Sequence, residues 1–267
     1  MIKRPKRLVL LGRSLGHSLS PAFQNAALQH ANLTLRYEAL DIPASAIDDT
    51  LQQLAADDAA GNVTVPHKQQ IFSRCDRLLT LAERAGAVNT FWFERGELIG
   101  DNTDVAGFQA AARQLLQREP SDLTIGLLGA GGAASAVLTA IESWKDCRVL
   151  VHNRTSERAA ALCARFPSVA QWSDVDELAR EADLVVNATT VGLRDSEFPI
   201  DPFRLRSSAM VLDLAYRRGE TPWVHAVRER GLRALDGLVM LIEQGAAAFE
   251  RWFGFSPDRD AMWRAVR

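Results

Sequence analysis

Leu123-Thr124-Ile125-Gly126-Leu127-Leu128-Gly129-Ala130-Gly131-Gly132-Ala133-Ala134 decides the fold of this chain. The apolar run Ile125 to Leu128 reads as a buried strand, G-x-G-x-x-A follows it directly, and a helix-forming run comes next. In such a turn the first glycine permits the sharp bend and the second lets backbone amides approach a pyrophosphate. The small third position lets helix and strand pack closely. The alternative, a glycine turn joining strand to helix without a ligand, is weighed down by this strand-helix context.

The same beat runs outward in both directions. Downstream come a strand at Arg148 to Val151, a helix at Glu157 to Phe166, strands at Leu184 to Ala188 and Val211 to Leu214, and a helix at Trp223 to Arg230. That alternation predicts a parallel sheet covered on both faces. Leu238 to Trp252 reads as one long, mostly apolar helix. Upstream, Leu8 to Leu11, Leu35 to Leu40 and Asn62 to Val65 read as strands, with helices opening at Ser20-Pro21, at Ala44 and at Pro66. Two short β runs, Val88 to Phe93 and Glu97 to Gly100, flank a Glu-Arg-Gly turn, and Val105 to Arg118 reads as helix. Glu119-Pro120-Ser121-Asp122 breaks the pattern. The fold class is therefore α/β, with two α/β domains.

The chain has 267 residues, 47% hydrophobic and 24% charged, which are ordinary globular values and argue against long disorder. With Lys plus Arg at 31 and Asp plus Glu at 33, the net charge of -2 gives no overall attraction for nucleic acid or an anionic membrane. A small-molecule partner is expected. Cys75, Cys147 and Cys163 show no CxxC pairing, and their odd number fits a reducing, cytoplasmic setting better than a disulfide framework. The basic start Lys3-Arg4-Pro5-Lys6-Arg7 precedes an apolar run too short for an export signal, and no stretch reaches the roughly 20 apolar residues of a membrane helix.

The cofactor type turns on the end of the next strand. An NAD site expects an acid about 20 residues past the first glycine, whereas an NADP site offers a cation to the 2′-phosphate. Here the strand ends in His152-Asn153-Arg154-Thr155, and Arg158 lies one helical turn further on. Either these arginines are solvated surface charges or they bind the extra phosphate; the position favours NADP.

Chemistry-bearing residues gather in the first domain. Ser18-Leu19-Ser20-Pro21 puts two hydroxyls at a helix mouth, where Ser20 is either an N-cap or half of an anion site for a substrate carboxylate. Asn62-Val63-Thr64-Val65-Pro66-His67-Lys68 runs from strand to helix and carries Lys68 in the first turn, where a cation opposes the helix dipole. Such a local misfit points to function. Ala87-Val88-Asn89-Thr90 places an amide at a strand end, and Asp104 follows Gly100-Asp101-Asn102-Thr103 at a helix start. Asp104 is either an N-cap or the partner of Lys68 in moving a substrate hydroxyl proton. No third carboxylate or clustered His completes a metal site with Asp101 and Asp104, so no metal is expected.

In Gly16-His17-Ser18-Leu19-Ser20-Pro21, Asn62 to Lys68, Gly86-Ala87-Val88-Asn89-Thr90 and Asn102-Thr103-Asp104, the chain resembles the shikimate dehydrogenase family. The resemblance continues through Gly129 to Ala134, Asn153-Arg154-Thr155, Asn187-Ala188-Thr189 and Gln244, and so covers essentially the whole chain. It implies a substrate-binding and catalytic domain over 1–104, a Rossmann-like NADP-binding domain over 105–236, and a C-terminal helical segment, 237–267, packing back on the substrate domain. Lys68 and Asp104 would be the catalytic pair, with Ser18 and Ser20 on the substrate carboxylate. Thr64, Asn89, Gln244 and Tyr216 would hydrogen-bond the substrate. Gly129, Ala130, Gly131, Gly132, Ala133, Thr189 and Gly237 would line the dinucleotide, and Asn153, Arg154, Thr155 and Arg158 would hold its 2′-phosphate.

The activity so implied is the NADP-dependent interconversion of 3-dehydroshikimate and shikimate by a cytoplasmic monomer or homodimer, with no nucleic-acid or membrane partner. The alternatives are a quinate/shikimate dehydrogenase paralogue using NAD, and a non-catalytic sensor of a shikimate-like ligand. Three positions depart from the family's common pattern. Ser14 stands where Pro is frequent, Gln69 where Glu is common, and Ser135 where Arg is frequent.

Overall fold

A computed structural model describes residues 4–267; Lys3 of the basic start lies outside the described residues. The chain forms two compact units, one of residues 1–107 with 241–267 and one of residues 108–240.

The first unit opens with β1 (Arg7–Gly12), α1 (Ser20–His30), β2 (Tyr37–Asp41), α2 (Ile47–Ala56) and β3 (Ala59–Val63). It continues through α3 (Lys68–Phe72), β4 (Arg77–Leu78), α4 (Thr80–Ala85), β5 (Thr90–Glu94), β6 (Glu97–Asp101) and the start of α5 (Asp104–Leu116). Its sheet has the order β2-β1-β3-β5-β6-β4. β1 pairs in parallel with β2 and β3, whereas β5 runs antiparallel to both β3 and β6. The antiparallel step follows from the turn at Arg95 and Gly96, both at positive φ (55° and 86°). A two-residue loop of that conformation matches strand twist and closes a hairpin. Val9, Leu11, Ile47, Leu54, Val63 and Phe91 bury the face under α2 and α4.

The second unit takes up the rest of α5 and continues through β7 (Thr124–Leu128), α6 (Gly132–Ile141), β8 (Arg148–His152), α7 (Ser156–Arg165), β9 (Val169–Gln171) and α8 (Val175–Glu181). It ends with β10 (Leu184–Asn187), β11 (Met210–Asp213), α9 (Pro222–Glu229) and β12 (Arg233–Leu235). All strands pair in parallel in the order β12-β11-β10-β7-β8-β9, as expected from the alternation of strands and helices. The order reverses at β7, the strand that feeds the glycine turn. Val185 of β10 and Leu150 of β8 are fully buried, as befits a sheet covered on both faces, and each such side chain contributes about 1.5–3 kcal/mol.

The chain ends in α10 (Leu238–Phe253) and α11 (Arg259–Arg264). From Leu241 onward these belong to the first unit, where α11 packs on α1 and Gln24 of α1 donates to the Gly245 carbonyl at 2.9 Å.

Pro66 does not open a helix. It occupies the tight turn from Thr64 to His67, behind a cis Val65–Pro66 peptide, and α3 starts only at Lys68. Short elements also fall where the sequence carries no periodic signal: β4, α4, β9, α8 and β12. Among the described residues no helix is long and apolar enough to cross a membrane, and no cluster of three or more His, Cys, Asp or Glu side chains is built to hold a metal.

Candidate active site

In the first unit the turn after β3 delivers Lys68, and the turn after β6 delivers Asp104. Lys68 Nζ forms an ion pair with Asp104 Oδ2. The side chains are 15% and 7% exposed, so the pair is nearly dry yet touched by solvent. A buried ion pair gains little over apolar packing because desolvation offsets the attraction, so its presence here is better explained by chemistry than by stability.

Asp104 is free for this because it is not the cap of α5. Asn102 Oδ1 accepts the Asp104 N–H at 3.1 Å, which leaves the carboxylate turned inward. Its other oxygen, Oδ1, accepts from Asn89 Nδ2 at 2.8 Å, and the same nitrogen lies 3.2 Å from Gln244 Oε1 on α10. Asp101 takes a different role. It accepts from Arg251 Nε at 2.8 Å and from the Asn102 N–H at 2.7 Å, which ties α10 to the end of β6.

The serine pair shows a similar reversal. Ser20 begins α1, but the capping hydroxyl is that of Ser18, whose Oγ accepts the Ser20 N–H at 3.3 Å. A hydroxyl two residues ahead of an N–H closes this small turn. The Ser20 hydroxyl is left uncommitted at the mouth of an eleven-residue helix, which suits an anion. Thr64 is half-buried, its N–H donating to the Leu11 carbonyl and its hydroxyl without a partner among the described residues. His17 is exposed, and His67 is buried with Nε2 2.8 Å from the Ile42 carbonyl and Nδ1 3.0 Å from Gln70 Oε1. Ser14 has φ 56°, a left-handed backbone that proline cannot adopt, which explains that departure.

In the second unit the glycine turn has the shape its sequence implies. Gly129 has φ 110°, and its N–H donates to the His152 carbonyl at 2.8 Å, locking β7 to β8. Gly131 is different: a Cβ built there meets no atom within 4 Å, so nothing in the protein's own packing requires glycine. The space in front of it suits close approach by a ligand. Gly131 caps α6 without a side-chain hydrogen bond, so the first amides of this ten-residue helix, those of Gly132 and Ala133 among them, have no acceptor within the helix.

One strand over, Thr155 caps α7 with its hydroxyl unused, and Asn153 Nδ2 donates to the Thr155 carbonyl at 2.8 Å. Arg154 and Arg158 are exposed, and their guanidinium groups have no ion-pair or hydrogen-bond partner among the described residues. Two free guanidinium groups, a free hydroxyl and a helix N-terminus form a donor set for a phosphate. Ser135, in the first turns of α6, accepts from Arg165 Nη1 at 3.3 Å, so a guanidinium reaches this position from α7. The residues present thus fit a dinucleotide bearing an extra phosphate.

The remaining expected site residues follow the ends of β10, β11 and β12. Thr189 Oγ1 donates to Asn187 Oδ1 at 2.6 Å, and Tyr216 lies half-buried three residues past the end of β11. Gly237 donates its N–H to the Ala215 carbonyl at 2.9 Å. Beneath them Asp213, fully buried, accepts from Asn187 Nδ2 at 2.8 Å, the Ala215 N–H at 3.1 Å and Thr221 Oγ1 at 2.7 Å. Burial pushes its carboxyl above the usual range. Asp236, which accepts the Leu238 N–H at 3.1 Å, is pushed up to about 6, chiefly by burial, with the charge of Asp213 adding to it. The sequence reading passed over Asn62, Thr90, Thr103 and Asp213; the signal for Asn62 was an amide in the middle of a strand.

Models of known families match nearly the whole chain. The shikimate dehydrogenase substrate binding domain matches residues 10–91, shikimate / quinate 5-dehydrogenase residues 110–240, and the shikimate 5'-dehydrogenase C-terminal domain residues 237–267. The curated shikimate dehydrogenase (NADP(+)) of Bacillus licheniformis is 37% identical over 259 residues, covering 95% of this chain and 93% of that protein. The curated shikimate dehydrogenase (NADP(+)) of Methylocella silvestris is 39% identical over 259 residues, covering 94% and 91%. Among solved structures, shikimate 5-dehydrogenase from Thermus thermophilus in complex with NADP(H) and shikimate superposes with a TM-score of 0.88 at 38% identity, over 98% of each chain. With its parallel nucleotide-binding sheet, its paired lysine and aspartate and relatives of this likeness over nearly their full length, the chain belongs to the shikimate dehydrogenase family of NADP-dependent oxidoreductases.

Proposed function

We propose that this chain catalyses the reversible, NADP-dependent reduction of 3-dehydroshikimate to shikimate, in the cytoplasm and as a monomer or homodimer. The observation that carries the reading is the nearly dry Lys68–Asp104 ion pair with the Asn89 amide beside it. When the carbon bearing a hydroxyl becomes a carbonyl, the hydroxyl proton must leave, and a lysine-carboxylate pair within reach of that oxygen takes it up. In the reducing direction the same pair returns it. Asp104 keeps Lys68 in place, and Asn89, Gln244 and Thr64 offer polar atoms to the remaining hydroxyls. Ser18 and Ser20 receive the carboxylate at the mouth of α1.

NADP, when bound, supplies the hydride acceptor at C4 of its nicotinamide ring. Gly129 to Ala133 would hold its pyrophosphate, Asn153, Arg154, Thr155 and Arg158 its 2′-phosphate, and Thr189, Tyr216 and Gly237 lie on the strand ends of the same unit. The three cysteines are unpaired, in keeping with a reducing compartment.

The test is four initial rates by reduced-nicotinamide absorbance: shikimate and quinate, each with NADP and with NAD. The expected result is a dominant shikimate–NADP rate. A dominant quinate or NAD rate would reassign the chain to a quinate/shikimate paralogue, and binding of shikimate without turnover would make it a sensor.

A further inference from the structure

Behind Asn89 and Asp104 the first unit holds three buried polar side chains, Tyr37, Asn62 and Thr90, that no step of the reaction uses. Tyr37 Oη lies 2.8 Å from Asn62 Oδ1, Asn62 Nδ2 2.9 Å from Thr90 Oγ1, Thr90 Oγ1 3.1 Å from Asn89 Oδ1, and Asn89 Nδ2 2.8 Å from Asp104 Oδ1. Every member is buried. The residues come from β2, β3, β5 with the residue just before it, and the start of α5, and Tyr37 reaches Asn62 past β1, which separates their strands in the sheet.

The direction of each bond is fixed by backbone groups whose role is not open to choice. Asn62 Nδ2 also donates to the Asn89 carbonyl at 3.1 Å, and a carbonyl only accepts, so the Asn62 amide has one orientation. Its Oδ1 therefore faces Tyr37, which must donate. Asn89 Oδ1 accepts the Thr103 N–H at 2.7 Å, and an N–H only donates, so Asn89 too has one orientation and its nitrogen faces Asp104. Thr90, which receives from Asn62, passes its own proton either straight to Asn89 Oδ1 or to Thr103 Oγ1 at 3.0 Å, whose hydroxyl lies 3.1 Å from the same Asn89 oxygen, so by either branch the donation ends on Asn89. All the bonds thus point one way, from the Tyr37 hydroxyl to the Asp104 carboxylate. Head-to-tail bonds in a dry setting polarise one another by about 10–30% each.

We propose that Tyr37, Asn62 and Thr90 are positioning residues for the reaction. Their one-way chain polarises the Asn89 amide against Asp104 Oδ1 and holds Oδ2 turned to Lys68. This rests on the dehydrogenase reading. A purely structural network would fill the same space without this polarity mattering to turnover.

The test compares Tyr37→Phe, Thr90→Val and Thr90→Ser with the full-length wild type. Phe keeps the ring that packs on Trp252, 6.1 Å between centroids, and Val keeps the shape of Thr. Losing one neutral bond from the chain is expected to lower kcat by about 3- to 10-fold, with KM for shikimate changed by less than about 2-fold. Thr90→Ser should recover most of the rate, and Tyr37→Phe combined with Thr90→Val should fall no further than Thr90→Val alone, since both cut one chain. In 15N spectra the Asn89 side-chain NH2 resonances should move in Tyr37→Phe. Wild-type kcat in both Tyr37→Phe and Thr90→Val, losses that multiply, or a Thr90→Ser as slow as Thr90→Val would overturn the proposal. If Tyr37→Phe fails to fold, the Val and Ser variants decide. An inactive wild type would instead overturn the dehydrogenase reading, and the Asn89 resonances in Tyr37→Phe would still decide the chain: unmoved, they reject it.

Discussion

Lys68 and Asp104, 36 positions apart in sequence, meet in an ion pair that is largely withdrawn from water and braced by the Asn89 amide. The pair is reached from one side by solvent and from the other by buried polar groups, which is the arrangement a proton-transfer site needs. Lys68→Ala is expected to lower shikimate turnover by about 10²- to 10⁴-fold, the usual range for a general acid-base group. NADP affinity, read by nucleotide fluorescence, should stay near wild type because Lys68 lies outside the nucleotide-binding unit. Wild-type-like turnover would remove Lys68 from the mechanism.

Arg154 and Arg158 are exposed cations beside the N-terminus of α7, their guanidinium groups unpaired among the described residues. Each charge-assisted bond to a phosphate contributes about 1.5–3 kcal/mol, so Arg154→Ala should raise KM for NADP by about 10- to 100-fold. KM for NAD, which lacks the phosphate, should barely move. An equal loss for both nucleotides would mean that the arginine supports the unit rather than the 2′-phosphate.

Gly131 offers a way to separate ligand from scaffold. Its backbone, φ −96° and ψ −169°, suits any residue, and an added Cβ meets nothing within 4 Å. Gly131→Val is therefore expected to leave the thermal midpoint unchanged while weakening NADP binding by about tenfold or more, through loss of amide contacts to the pyrophosphate. Unchanged binding by calorimetry would place the cofactor elsewhere.

Asp236 gives a pH dependence with a definite sign. Its folded-state value of about 6 lies above the roughly 3.9 of an unfolded aspartate. The folded chain therefore holds the proton more tightly between these values, and the contribution of this group to stability falls as pH rises from about 4 to about 6. Asp236→Asn keeps an oxygen for the Leu238 N–H and removes the titration. Relative to wild type, the variant should gain about 1–2 kcal/mol on going from pH 4.5 to pH 7, read from urea midpoints. A constant difference across that range would reject the assignment. Arg228, Glu220 and Asp213 face Asp236 and stay the same in both proteins.

What could be read from the sequence was what is locally encoded. β7, the glycine turn and α6 were legible because an apolar strand, a G-x-G-x-x-A turn and an apolar helix follow one another without interruption. Lys68 was legible as a cation in the wrong turn of a helix. The caps were read one step out, with Ser18 serving Ser20 and Asn102 serving Asp104, since a hydroxyl or amide can close onto several nearby N–H groups and propensity alone does not choose. β4 and β12 escaped because two or three residues carry no period. Nothing local marks Gln244 on apolar α10 either; it meets Asn89 from 155 positions away, and only the family resemblance singled it out.

The first unit is built from the two ends of the chain, residues 1–107 and 241–267, whereas the second is one uninterrupted segment. During synthesis the nucleotide-binding unit is complete in sequence before the other is. Asn89 must wait for Gln244, Asp101 for Arg251, and α1 for α11, all of which are made only after the whole nucleotide-binding segment. A chain that stops short of residue 241 thus holds the whole nucleotide-binding segment, while Asn89 lacks Gln244 and Asp101 lacks Arg251.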